Sequence, residues 1–145
     1  MKATVKPVQI KQRISRWGLI RYQILSWCAL RGIQITNADL DMLVLLAILG
    51  KTKLSTFCEE LIKTESSCGT KIKKYKGTEK EYKYIFDSCQ SARNALSKMS
   101  ELGLVSRKGR NKSNIQVWIN PLMEIHTDAN LLINYQLLCL DPTES

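Results

Sequence analysis

Histidine occurs once in this chain, at His126, and no Cys-x-x-Cys pair occurs among its five cysteines. Zinc sites need closely spaced thiolates or imidazoles, so no metal site is expected. Cys28, Cys58, Cys68, Cys89 and Cys139 are widely separated and odd in number, which fits a reducing cytosol better than a disulfide framework. Cys28, Cys58, Cys89 and Cys139 fall inside apolar patterns and are expected to be core thiols. The sequence has no Gly-rich phosphate loop and no Ser-His-Asp set, and His126 stands beside a strand end, where a surface or capping role is the expectation. The acidic pairs Asp39 with Asp41 and Glu59 with Glu60 point to different helix faces and make no metal cage by themselves. No catalytic residue, metal or cofactor is therefore expected. Long apolar runs are also missing: the longest, Met42 to Leu49, is far short of the roughly 20 residues of a membrane span. With no signal peptide visible, a cytoplasmic location is expected and a membrane partner is not.

Charge of one sign is missing from each end. Residues 1–36 carry seven basic and no acidic side chains, and residues 121–145 carry four acidic and no basic ones. Residues 88–120 carry a net +5, and the whole chain a formal +9. Basic charge is thus gathered at the N-terminus and in the stretch 88–120, a pattern that points to a polyanion, above all nucleic acid. A soluble basic surface or an acidic protein partner is the alternative. The hydrophobic fraction of 44% suffices for a core.

In chain order, residues 1–7 read as a short polar arm. Val8 to Leu30 reads as a basic amphipathic helix with Ile10, Ile14, Trp17, Ile24 and Cys28 on one stripe, supported by Ile20 and Trp27. It can pack on the domain, dock on a partner or twin subunit, or lie on phosphates or a membrane surface. Thr36 or Asn37 caps a helix that is apolar nearly all round and ends at Gly50, so a central position is expected for it. Lys51 to Leu54 can form a short strand. Thr56, with Glu59 three residues on, makes a capping box for a helix ending near Lys63. Residues 64–86 then intervene. Lys71–Lys76 and Glu81–Phe86 flank Gly77-Thr78 and can pair as a hairpin, or Thr78 with Glu81 can cap a short helix. Lysines interleaved with Tyr75, Tyr82 and Tyr84 can contact phosphate and stack on bases, or the hairpin can be a solvated one whose aromatics cover the core. From Thr127 or Asp128 a last helix is expected, with Leu131, Leu132, Tyr135, Leu138 and Cys139 inside and a loose acidic end.

Residues 87–121 are the most informative. Asp87 or Ser88 can cap a helix in which Cys89, Ala92, Leu96 and Met99 recur at three- and four-residue steps. Gly103 stands where a helix end needs a left-handed residue. Leu104-Val105-Ser106 begins a strand, Arg107 to Asn114 is a basic loop, and Ile115, Val117 and Ile119 mark a returning strand that Pro121 ends. A helix, a Gly stop and a two-stranded hairpin with a basic tip resemble the second half of a winged helix-turn-helix domain. Leu-Ser-Lys-Met-Ser-Glu-Leu-Gly-Leu-Val-Ser-Arg-Lys resembles a recognition helix running into the wing. Val-Trp-Ile-Asn-Pro is similar to the strand end of plasmid and phage replication initiators and related transcriptional regulators. The resemblance departs from the family at residues 64–86, because a helix-turn-helix reaches its second helix after three or four residues.

The expected fold is α+β: residues 1–35 a basic arm and amphipathic helix, residues 36–126 a winged-helix core with insertion 64–86, and residues 127–145 a C-terminal helix and acidic tail. The resemblance implies non-catalytic binding of double-stranded DNA in regulation or replication. It assigns base contacts to Gln90, Ser91, Asn94 and Lys98, phosphate or guanine to Arg93, and phosphate contacts to Arg107, Lys108, Arg110, Asn111 and Lys112. Charged helix faces are also commonly just solvated, which is the competing account of Arg93 and Lys98. The rival expectation is an assembly subunit, for example of a phage virion. In that case the terminal helices meet a homo-oligomeric or other protein partner through Ile14, Trp17, Ile24, Trp27, Leu131, Leu132 and Tyr135.

Overall fold

The computed structural model describes residues 2–9, 15–109, 114–127 and 134–141, the first and last of these segments by their backbone. The fold is mixed α and β, with four α-helices and small antiparallel sheets among the described residues. At its centre is helix α2, Asn37–Leu49, numbered after α1, Arg16–Leu30. Thr36 caps α2 by accepting from the Asp39 N–H at 3.1 Å, and Gly50, at φ 72°, ends it. Leu40, Met42, Leu43, Val44 and Leu46 are all buried. A helix that is apolar on every side must be surrounded, and α1 covers part of it with Ile20, Ile24 and Cys28.

The chain then enters strand β2, Thr52–Lys53, which follows β1, Lys2–Gln9. Helix α3, Leu54–Leu61, buries Phe57, Cys58 and Leu61. It starts two residues before the expected Thr56 cap. Lys53 at its N-cap makes no side-chain bond, and the Leu54 N–H instead donates to the Ile115 carbonyl at 2.8 Å. A tertiary hydrogen bond thus replaces the local cap.

Residues 64–86 form a hairpin, not a capped helix. Strand β3, Lys71–Tyr75, pairs with β4, Thr78–Tyr82, so that Lys71 faces Tyr82 and Tyr75 faces Thr78. Lys76 and Gly77 between them both have positive φ, 49° and 78°, the geometry of the two-residue turns that match strand twist. The insertion is closed at its base. Ser66 N–H donates to the Lys83 carbonyl at 2.8 Å, Ile85 N–H to Thr64 at 2.9 Å, and Phe86 N–H to Leu61 at 3.3 Å. Asp41, fully buried on α2, accepts from the Ser66 hydroxyl at 3.3 Å, the Ser67 N–H at 3.0 Å and the Ser67 hydroxyl at 2.5 Å. A buried carboxylate is tolerated when its lone pairs are filled in this way.

Helix α4, Cys89–Glu101, is capped by Ser88, whose hydroxyl accepts from the Ser91 N–H at 3.2 Å. Ala92, Leu96 and Met99 form its buried stripe, as the spacing predicts. At its end Gly103, at φ 77°, donates to Ser100 and Leu104 N–H donates to Met99 at 3.0 Å, a Schellman termination. Strands β5, Val105–Lys108, and β6, Gln116–Ile119, follow, and β6 lies between β2 and β5. Asn120 ties this unit together: its side-chain amide donates to the Gly103 carbonyl at 2.7 Å, and its carbonyl oxygen accepts from the Leu122 N–H at 3.1 Å. A short 3-10 turn, Pro121–Met123, ends the sheet. The Gln23 amide on α1 then exchanges two hydrogen bonds, 2.7 and 2.8 Å, with the backbone of His126.

The ends differ from expectation. In place of an arm and a C-terminal helix, β1 pairs antiparallel with β7, Asn134–Asp141, in a register running from Lys2 opposite Asp141 to Gln9 opposite Asn134. The first helix begins at Arg16 behind a Ser15 cap, not at Val8. A short apolar run such as Leu137 to Leu140 fits strand and helix periods alike, and only a partner more than a hundred residues away decides between them. Thr4, Val5 and Val8 favour extended backbone, and Pro7, which has no N–H to give, sits in a strand with one neighbour.

The closure of the insertion on α2 is open to direct measurement. Asp41→Ala leaves the Ser66 and Ser67 donors without their acceptor and is expected to lower unfolding free energy by about 2–3 kcal/mol in urea denaturation. Ser67→Ala removes one hydroxyl donor and is expected to cost about 1 kcal/mol.

Candidate nucleic-acid interface

The outward face of α4 is polar because its apolar stripe is fixed to the core. Gln90, Arg93, Asn94, Ser97 and Lys98 are exposed, and Ser91 is half-buried. Gln90 and Asn94 are one turn apart, and the Gln90 side-chain N–H donates to the Asn94 carbonyl oxygen at 3.0 Å. This amide pair is the crest of the exposed face.

On one flank of the crest lies a cleft of about 250 Å³ between α4 and the β5–β6 sheet. Leu54, Leu96, Val105, Ile115 and Val117 make its apolar floor, with Gln90, Arg93, Ser97 and Arg107 around it. Beneath this flank, burial pushes the Cys58 thiol on α3 up from its ordinary range, and the neighbouring Arg93 guanidinium opposes that rise. Cys28 is likewise pushed up by burial, opposed by Arg31.

Pairing sets the direction of the basic strand residues. Arg107 stands opposite Val117, and Lys108 opposite Gln116. Side chains alternate along a strand, so Arg107 shares the face of buried Val105 and Val117, towards α4, while Lys108 belongs to the other face. Two cations that are adjacent in sequence therefore serve different sides of the hairpin. On that outer side Lys51 sits 4.6 Å from the Trp118 ring. Gly109 makes the hairpin possible at its near end. Its φ is 144°, and a Cβ there would meet the Asn114 carbonyl oxygen at 2.7 Å and the Ile115 Cα at 2.8 Å. Arg110, Asn111 and Lys112 lie outside the described residues.

On the other flank of the crest, Lys98 leans back towards α2, with its Nζ 3.9 Å from the carboxylate of buried Asp39. Lys98 is thus an exposed cation already paired with an acid, a role its position in the sequence did not suggest. Among the described residues no group of three or more His, Cys, Asp or Glu is placed to hold a metal ion, and no helix is long and apolar enough to cross a membrane.

Of the residues expected at a protein partner, Ile24 is wholly inside the chain's own core. Trp17 and Trp27 are half-buried against that core, and the Arg31 guanidinium lies 3.2 Å from the centre of the Trp27 ring. Tyr135 is in β7, not in a helix, and Ile14, Leu131 and Leu132 lie outside the described residues. Sequence reasoning missed the nearness of Arg93 to the Cys58 thiol and the anchoring role of Asp41. The signal for Asp41 was present, as an acid set among the apolar residues of α2.

Comparison with family models, with curated proteins and with solved structures gives no match.

The dependence of the β5–β6 hairpin on a residue without a side chain gives a direct check. Gly109→Ala is expected to cost about 1–3 kcal/mol in urea denaturation, because it forces a Cβ into the backbone of residues 114–115 at a φ that other residues rarely adopt.

Proposed function

We propose that this chain is a non-catalytic, winged-helix protein that binds duplex DNA, with α4 as the reading helix and β5–β6 as the wing. The single observation that carries the reading is the Gln90–Asn94 crest standing beside a cleft rimmed by Arg93 and Arg107. Amides of this kind bond adenine edges bidentately, and each such pair discriminates by about 1–3 kcal/mol. The arginines beside them supply phosphate contacts that set register. Within residues 88–120 the one acid is Glu101, at the far end of α4.

The order of elements supports the same reading. α2, β2, α3, α4, β5 and β6 follow one another, with β6 central in the sheet, as in winged-helix domains. The long insertion is compatible with a helix-turn-helix because it closes on itself. Phe86 returns to hydrogen-bond Leu61 at the end of α3, so α4 begins beside α3 as it would after a short turn.

The test is a salt titration of binding to random-sequence duplex DNA. The wild-type chain is expected to lose affinity steeply with salt, and a variant combining Arg107→Ala, Lys108→Ala, Arg110→Ala and Lys112→Ala to show a log–log slope shallower by about 3–4. In a selected site, Asn94→Ala is expected to lose discrimination by about 1–3 kcal/mol while non-specific binding stays. A wild-type chain that binds no duplex at low salt sinks the proposal.

A second reading, an assembly subunit, draws on α1, where Tyr22 is 57% and Leu30 85% exposed. It expects a concentration-dependent oligomer in sedimentation velocity that Leu30→Asp returns to monomer; a monomer at all concentrations removes it.

A further inference from the structure

The inserted hairpin sorts its charges by face. Paired residues of a two-stranded ladder share a face, and successive residues alternate. Lys71 is opposite Tyr82 and Lys73 is opposite Lys80, which puts these register positions on one side of β3–β4. The positions of Ile72 opposite Glu81 and Lys74 opposite Glu79 make up the other side. Side-chain geometry agrees with this sorting: the Lys80 Nζ lies 5.5 Å from the Tyr82 ring, and Lys74 pairs with Glu79 at 3.5 Å. Both acids of the two strands therefore lie on one face with Lys74, and the other face holds basic and aromatic positions with no acid.

The basic face lies beside α4. Lys71, Tyr82 and Tyr84 line a hollow of about 180 Å³ together with Ala38 of α2, and with Asp87 and Ser91 at the start of α4. Arg93, which lines the cleft on the β5–β6 side, is two residues beyond Ser91, and so about 200° around the helix from it. The α4 crest thus stands between two basic hairpins: β5–β6 on the Arg93 flank, and β3–β4 on the Ser91 flank.

We propose that the β3–β4 hairpin is a second phosphate-gripping arm, which meets the DNA backbone on the side of α4 away from the wing. This inference rests on the proposal that α4 seats on duplex DNA. The major groove is about 12 Å wide and an α-helix with its side chains nearly fills it, so a seated helix has a sugar-phosphate backbone on each side. One arm per backbone fixes both tilt and register, which a single wing does not. The strand positions of this face carry lysines and no acid, with Asp87 at the inner end of the hollow beside them, and so complement phosphate, whereas the opposite face, with two glutamates against one lysine in the strands, does not.

The test uses the full chain and a random-sequence duplex in fluorescence anisotropy over a range of salt concentrations. A variant combining Lys71→Gln, Lys73→Gln and Lys80→Gln is expected to shallow the log–log salt slope by about 2–3, at roughly 0.9 for each phosphate no longer neutralised. Lys80→Gln alone, at an exposed position, is expected to shallow it by about 0.9 with an unchanged urea midpoint, which separates weakened phosphate binding from weakened folding. Lys74→Gln, on the opposite face, is expected to leave the slope as it is. If the triple variant keeps the wild-type slope, or if Lys74→Gln shallows it as much as Lys80→Gln does, the arm is overturned while the role of α4 stands. If the wild-type chain binds no duplex, both fall together.

Discussion

The structure depends on the burial of one helix. α2 has almost no polar side to offer water, so every other described element of the core is arranged to cover it or to hold what covers it. Burying a single leucine-sized side chain is worth about 1.5–3 kcal/mol, and α2 carries several, which makes its enclosure the strongest directional demand in the sequence. α1 lies along one side, the sheet and α4 close others, and the two acids of α2 look outward only far enough to be met, Asp41 by serines and Asp39 by Lys98. These polar contacts do not drive the collapse. They decide which way the surrounding pieces are turned once it has occurred, because a misplaced carboxylate would be left unpaired in an apolar setting.

The same demand explains how a long insertion can sit between α3 and α4 without separating them. Both helices owe their placement to apolar stripes, Phe57, Cys58 and Leu61 on one and Ala92, Leu96 and Met99 on the other. The chain between them is free to leave the core provided that it comes back, and its base ladder and the Asp41 hydrogen bonds bring it back. A hairpin closed in this manner costs the helix pair little, since loop-closure entropy grows only slowly with length.

Most of the middle of the chain was legible in the sequence. Helical spacing located α2 and α4, Gly50 and Gly103 marked their ends, and alternation through Ile115, Val117 and Ile119 marked β6. These signals are local, so local residues suffice to read them. The α3 start was not legible, since its cap is the carbonyl of Ile115 from another part of the chain. The chain ends were not legible either, since β1 and β7 are defined by each other across the full length of the described fold and neither carries a decisive period of its own. In the candidate site Gln90, Arg93, Asn94 and Lys98 lie exposed on α4 as their spacing suggests, while Ser91 is half-buried. The nearness of Cys58 to Arg93, the pairing of Lys98 with Asp39, and the opposed directions of Arg107 and Lys108 came only with the tertiary arrangement.

The junction between α4 and the sheet has a mechanical consequence. Gly103 donates back into the helix, its carbonyl is held by the Asn120 side chain, and Asn120 N–H donates to Leu104 at 3.1 Å, so helix end, β5 and the end of β6 are bolted at one point. A lever fixed in this way does not swivel. Under the proposed function, a protein of this build has little freedom to adapt its grip to different sites, and the bending and groove adjustment fall to the duplex. The cost of that adjustment depends on base-step stiffness, so such a protein would favour pliable sequences even at positions that no side chain reaches.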